Sequence, residues 1–463
     1  MNSRLEQSPV CPPGPFTAAA WLVAVAWSLT APPVVGMPAA ESRLGLGEAV
    51  AFALAHHPSL ASVEAERRAA EAGVAETEAA WRPQVGVGAS ARQYEEPVPI
   101  TPIHGFGPGL FPEFDRTLVR AHLTVLYTLY DGGGRTARGE RARALAGASA
   151  AAVESTVHEL IGRTVGAYLR VLGLAEVLDA HGRRLEALAA ERRRVEQRQE
   201  IGRAAEVERR RVEAACSAAE AERVRLAAAL DAAERDLARL VSTEPERTRA
   251  GNLIPVRLAE DAASDREALA RQARDASPRV ERARHEIVAA AAAIEVADSA
   301  RRPSLVASGE HQEFASSDGY EAGEWIVGVE LRVPFYDGGG VAARVARAVA
   351  EHEAAEERLR LAEDAVLDAV DRALADLVEA RARVESLAEA VASYEEVARV
   401  EALRLEVGAG VQADLLDAEA DLLAARAGLA EARYSEQGAQ VDLARVTGAL
   451  DPGWVERTLV EAP

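Results

Sequence analysis

LYDGGGRTARG at residues 129–139 and FYDGGGVAARV at residues 335–345 write the same unit twice: an aromatic residue, an Asp and three glycines. Each copy follows an alternating apolar stretch and precedes a long run rich in Ala, Arg and Glu. A strand and a helix differ in backbone geometry, so joining them almost in line needs residues that tolerate unusual dihedrals. Gly132 and Gly133, and again Gly338 and Gly339, supply that freedom, while Asp131 or Asp337 can accept from the freed amides of the turn. A phosphate-cradling loop is excluded, because the glycine run lacks the G-x-G-x-x-G spacing and no Lys follows it.

Upstream of each joint the pattern has period two. Val119, Ala121, Leu123, Val125, Tyr127 and Leu129 alternate with Arg120, His122, Thr124, Leu126, Thr128 and Tyr130. Trp325, Val327, Val329, Leu331, Val333 and Phe335 alternate with Ile326, Gly328, Glu330, Arg332, Pro334 and Tyr336. Alternation over about 10–12 residues fits a tilted transmembrane β-strand. Taken alone it fits a half-buried strand of a soluble sheet equally well. The outgoing partners, starting near Trp81 and Arg301, show the pattern less clearly.

Downstream the reading is helical. No proline occurs between Asp115 and Glu244, or between Phe335 and Asp451. From each joint to Gly202 or Gly408 run about 66 residues, roughly 100 Å of α-helix. Leu415, Leu422 and Leu429 alternate with Ala418, Ala425 and Ala432, a large-small seam suited to close coiled-coil contact. Ile201-Gly202 and Val407-Gly408 mark the hairpin turns, where glycine can take the positive φ of a helix C-terminus.

The landmarks repeat at fixed offsets. Asp131 and Asp337 lie 206 residues apart, as do Gly202 and Gly408. Pro58 and Pro278, and Pro83 and Pro303, lie 220 apart. The 14 extra residues of the first copy fall in the Pro/Gly-rich segment PVPITPIHGFGPGLFPEF, a loop tip. The spacing predicts a signal peptide at 1–40, a helix at 41–80, a β-hairpin at 81–130, a long helical hairpin at 131–245 and a linker at 246–264. The second copy follows as a helix at 265–302, a β-hairpin at 303–336, a long hairpin at 337–450 and a tail at 451–463. The signal peptide rests on FTAAAWLVAVAWSL (16–29), which is too short to span a bilayer comfortably.

Composition narrows the function. A net charge of −21 excludes nucleic-acid binding, which needs a basic face. Cys11 in the leader and Cys216 in a helical run leave no disulfide. The His-Glu pairs at 158–159, 285–286 and 352–353 lack the second His of a helical zinc-protease motif, so neither an enzyme nor a metal or cofactor site is predicted.

The chain resembles the TolC-type outer membrane efflux proteins. The resemblance is carried by LGEAVAFALAHHPSL (46–60), WRPQV (81–85), the two joints, EIGRAAEVERRRVEAA (200–215) and EVGAGVQADLLDAEADLLAAR (406–426). It implies a mainly α fold with a transmembrane β portion, in which four strands per protomer of a homotrimer close a 12-stranded outer membrane barrel. Long helices would continue that barrel through the periplasm. Chemistry agrees, because four strands cannot close a barrel and open edges are not tolerated in lipid. The implied role is the passive exit duct of a tripartite efflux pump or type I secretion system, working with a periplasmic adaptor and an inner-membrane transporter.

The resemblance further implies that Asp414 and Asp417 ring the periplasmic entrance, with Glu208 in the position equivalent to Asp414. Ile201, Gly202, Val407 and Gly408 would meet the adaptor. Where several relatives carry a basic gating residue this chain has Gly410. A rival reading, a periplasmic or membrane-anchored coiled-coil adaptor or scaffold, shares the long helices but does not need paired amphipathic strands in both repeats.

Overall fold

The structure, a computed structural model, describes residues 43–104, 112–259 and 265–461. The signal peptide expected at 1–40 and the centre of the first loop tip lie outside the described residues.

Each repeat opens with two helices where one was expected. Helices α1 (Leu46–His56) and α2 (Pro58–Ala79) meet at His57, whose backbone is extended. Helices α5 (Arg266–Ala276) and α6 (Pro278–Ser299) meet in the same way at Ser277. The cause is the proline pair at an offset of 220: each proline starts a helix but pushes the residue before it out of the α region.

Strands β1 (Gln84–Pro99), β2 (Phe114–Tyr130), β4 (Ser304–Ser316) and β5 (Glu321–Arg332) form one antiparallel sheet in the order β1-β2-β4-β5. The two hairpins thus sit side by side, with β1 and β5 at the open edges. Register keeps the two faces distinct. Val85, Val87, Ala89 and Ala91 stand opposite Val125, Leu123, Ala121 and Val119. On the other face Arg120 of β2 reaches Glu310 of β4 at 2.9 Å. The outgoing strands were hard to read because small residues (Gly86, Gly88, Ala89, Ser90, Ala91) blur the alternation.

The incoming strands differ in length for a physical reason. β2 has partners on both sides and pairs as far as Tyr130, opposite Leu305. β5 stops at Arg332, opposite the first residue of β4, although the alternation continues to Phe335. An edge strand that has run past its only partner has nothing to hold it extended. Phe335 is 100% and Tyr336 86% exposed.

From the joints run α3 (Gly134–Glu200) and α7 (Gly340–Glu406), each of 67 residues. They turn back as α4 (Glu206–Val241) and α8 (Gln412–Val446). Along α8 five of the six predicted seam residues, Leu415, Ala418, Ala425, Leu429 and Ala432, are buried, and Leu422 is half-buried. The main core lies halfway along the long helices. There Ile161, Val165, Tyr168 and Leu172 of α3 pack with α1, the end of α4 and Val441 and Ala444 of α8. A second cluster joins Leu269 of α5 and Val280 of α6 to Val366, Val370 and Leu377 of α7.

The linker and tail close over the first core. β3 (Val256–Leu258) pairs antiparallel with β6 (Leu459–Glu461), which follows the short helix α9 (Pro452–Thr458). The fully buried Tyr168 hydroxyl accepts from the Ile254 amide at 2.9 Å and faces the carbonyls of Leu44 at 2.8 Å and Ile254 at 2.7 Å. One phenol therefore ties the start of the repeat and the linker to α3, with its polar end satisfied.

Candidate functional sites at the joints and hairpin tips

Both joints use the same backbone solution. Gly132 and Gly133 have φ of 70° and 90°, and Gly338 and Gly339 have 69° and 88°. The second glycine of each pair is the N-cap of α3 or α7. No side chain would take two consecutive left-handed residues without strain, which is why the motif is written in glycine.

The aspartates diverge. Asp337 does what the sequence predicts for both: Oδ1 accepts from the Gly339 amide at 3.0 Å and Oδ2 from the Val341 amide. These amide bonds, the Val341 one first, hold its carboxyl below the usual range. Asp131 instead receives the guanidinium groups of Arg138 at 2.7 Å and Arg135 at 3.7 Å. Arg135 is 4% exposed; it lies 4.2 Å over the Trp81 ring and donates to the carbonyls of Ala80 and Leu129. From the other side Arg302 donates to the Gly132 carbonyl at 2.9 Å. Joint 1 is thus wedged between two helix-to-strand corners, whereas around Gly338 and Gly339 there is open space.

At the tips, each turn closes with the same pair of bonds. The Gly202 amide donates to Gln199 and the Arg203 amide to Arg198, at 2.9 and 2.7 Å. The Gly408 amide donates to Leu405 and the Ala409 amide to Arg404, at 3.2 and 2.8 Å. With φ of 69° at Gly202 and 76° at Gly408, both are helix stops that satisfy the last carbonyls. Ile201 and Val407 project as apolar, 67% and 70% exposed. Gly410 is a steric requirement here: a Cβ would stand 2.9 Å from the Leu405 nitrogen. The folded turn therefore has no room for a side chain at this position.

Asp414 and Asp417 occupy the first two turns of α8, exposed, and their carboxylates meet no cation among the described residues. Glu208 sits differently, 3.8 Å from Arg198. Arg198 also donates to Gln412 of α8 at 3.0 Å and lies 3.9 Å from the buried Glu191. It is a clasp between the two hairpins that the sequence reading missed, since Arg198 lies in the run ERRRVEQRQE with nothing to separate it from its solvated neighbours. Just above it, burial and then the Glu191 carboxylate push the Glu419 carboxyl up.

With this geometry in place the comparisons are decisive. Residues 50–243 and 269–449 match the family model described as "Outer membrane efflux protein". The chain belongs to the outer membrane efflux protein family. The two matched segments correspond to the two repeats. Solved structures share the fold. A membrane protein from Pseudomonas aeruginosa aligns with TM-score 0.76 and 21% identity over 88% of this chain and 94% of that one. The outer membrane protein VceC of Vibrio cholerae aligns at 0.74 and 19%, over 87% and 96%. The CmeC outer membrane channel of Campylobacter jejuni aligns at 0.75 and 16%, over 88% and 87%. No curated protein matches in sequence. The efflux protein is located in the outer membrane and extends into the periplasm, and the rival reading as an adaptor or scaffold is set aside.

Proposed function

We propose that three copies of this efflux protein close a 12-stranded barrel and serve as the passive exit duct of a tripartite pump. A periplasmic adaptor docks at Ile201-Gly202 and Val407-Gly408, and an inner-membrane transporter supplies and selects the cargo, small molecule or protein. The carrying observation is the four-stranded sheet with one apolar face and two unpaired edges, followed in both repeats by helices roughly 100 Å long. Unpaired strand edges do not persist in lipid, and three copies remove every edge. Asp414 and Asp417, free of counter-ions, supply carboxylate rings at the periplasmic mouth that attract cations.

Purified protein in planar bilayers is expected to conduct, with a preference for cations. Asp414→Asn with Asp417→Asn should weaken that preference. Unchanged selectivity removes the two residues from the mouth, and recovery of the protein in the soluble periplasmic fraction without detergent overturns the duct itself.

A further inference from the structure

The two repeats are related by a shift that differs on the two sides of each hairpin: 220 residues for the outgoing side, 206 for the incoming side. That rule is tested within the chain. Gln84 stands opposite Leu126 in β1–β2, and the shift maps this pair onto Ser304 opposite Arg332, the pairing observed in β4–β5. The contact between the hairpins, β2 with β4, has no second copy inside one chain. Its counterpart joins β5 to a β1 that the protomer cannot supply from its own fold, because its β1 lies at the opposite edge.

From this we infer that joint 2 is completed in trans, by Arg82 of a neighbouring copy donating to the Gly338 carbonyl, in a β5–β1 register that repeats β2–β4. The inference rests on the trimeric reading above and gives its seam a residue-level form.

The template is explicit. Arg302 donates to the Gly132 carbonyl, and a Cβ on Gly132 would lie 2.7 Å from both the Ser299 carbonyl oxygen and the Arg302 Cβ. Shifted, Gly132 becomes Gly338, Ser299 becomes Ala79 and Arg302 becomes Arg82. Arg82 is exposed, and its guanidinium makes no hydrogen bond or ion pair among the described residues. Its backbone setting already matches: the Arg82 amide donates to Ala79 at 3.0 Å, as the Arg302 amide does to Ser299 at 3.0 Å. Arg302 is held by Asp298 four residues earlier at 2.8 Å, and Glu78 stands four residues before Arg82.

The strands follow the same rule. Leu123 opposite His311 becomes Val329 opposite Ala91 of the neighbour, and Tyr127 opposite Ala307 becomes Val333 opposite Val87. Apolar residues thus meet on the face they already share within each hairpin. The β2–β4 ladder is irregular between Thr128 and Tyr130, and the shift brings Pro334 and Tyr336 to that place. An irregularity in a ladder is where a strand tolerates a residue without an amide hydrogen. The stretch past Arg332, unpaired in one chain, gains a partner there.

Disulfide trapping tests the register in the full-length protein with Cys216→Ser as background. Ala91→Cys with Val329→Cys is expected to give chains linked to one another on mild oxidation, whereas Ala89→Cys with Val329→Cys, two residues out of register, should give little. Native mass spectrometry of the detergent-solubilised parent reads assembly separately. A mass of three chains with efficient linking only through Ala89→Cys overturns this register and leaves the trimer standing; a mass of one chain overturns both. Arg82→Ala is expected to speed trimer dissociation about tenfold, the value of one charge-assisted hydrogen bond. Arg301→Ala, at the adjoining position of the other corner, should leave it unchanged. Equal dissociation of the Arg82→Ala variant and the parent overturns the arginine contact.

Discussion

The two joints share a sequence signature and a backbone but not an environment. Joint 1 is braced by Arg135 on Trp81 and by Arg302 on the Gly132 carbonyl. Joint 2 has Val341 where joint 1 has Arg135, caps its helix with its own Asp337, and leaves its glycines in open space. The difference teaches that one chain can write an element twice and brace only one copy from its own fold. The interior copy is complete within one protomer, and under the proposed assembly the edge copy, held locally by Asp337, would be completed by a neighbour.

The largest test of that contrast is at the glycines. Gly132→Ala combines a left-handed φ with a Cβ placed 2.7 Å from backbone, and should cost about 3 kcal/mol. Gly338→Ala carries the dihedral strain alone in a single chain, about 1–2 kcal/mol. Thermal unfolding of dissociated protein should separate the two variants, and in the assembled trimer their costs should converge. If they differ equally in both states, nothing packs on joint 2.

Arg135→Ala comes next, at about 2 kcal/mol, because it strips a charged donor from two carbonyls and a cation from the Trp81 face. Val341→Ala should cost about half as much. Amide exchange in the first turns of α3 and α7 is the readout. Smaller still, Asp337→Ala removes a true helix cap, about 1 kcal/mol, and should release the amides of Gly339 and Val341 to exchange. Asp131→Ala loses ion pairs only, and the α3 amides should stay protected.

The contrast extends to the tips. Glu213 of the first repeat pairs with Arg209 and Arg210, whereas its second-repeat counterpart Glu419 is pushed up by burial and by Glu191. A carboxyl whose folded pKa is raised contributes stability that is full below 4.5 and is lost as pH rises through the folded value. Glu419→Gln should therefore raise the midpoint at neutral pH and flatten its pH dependence above 4.5. Glu213→Gln, which removes the ion pairs with Arg209 and Arg210, should not raise the midpoint.

Much of the architecture was legible because it is periodic. Two joints, two tip glycines and two proline pairs at constant offsets define the repeats, and the Leu/Ala seam of α8 is buried except at the half-buried Leu422. Less was legible where chemistry depends on distant partners. Nothing local tells Arg135 from Arg138, or Arg198 from the arginines around it; their roles come from Trp81 and Gln412, which are 54 and 214 residues away. The prolines at 58 and 278 did announce helix breaks, but within Ala-rich surroundings they were absorbed into one continuous element. Asp414 and Asp417 are exposed, and in the proposed trimer their counterparts would come from the other copies of the chain.

One consequence concerns geometry at long range. α3 and α7 have the same length, 67 residues, so the two hairpins of a protomer reach equally far from their joints. Deleting one residue from α7 alone would retract its end by about 1.5 Å and swing every side chain beyond the deletion by roughly 100°. In the proposed trimer the six ends would then alternate high and low, like a table on uneven legs, and no flat-ended counterpart could rest on all six at once.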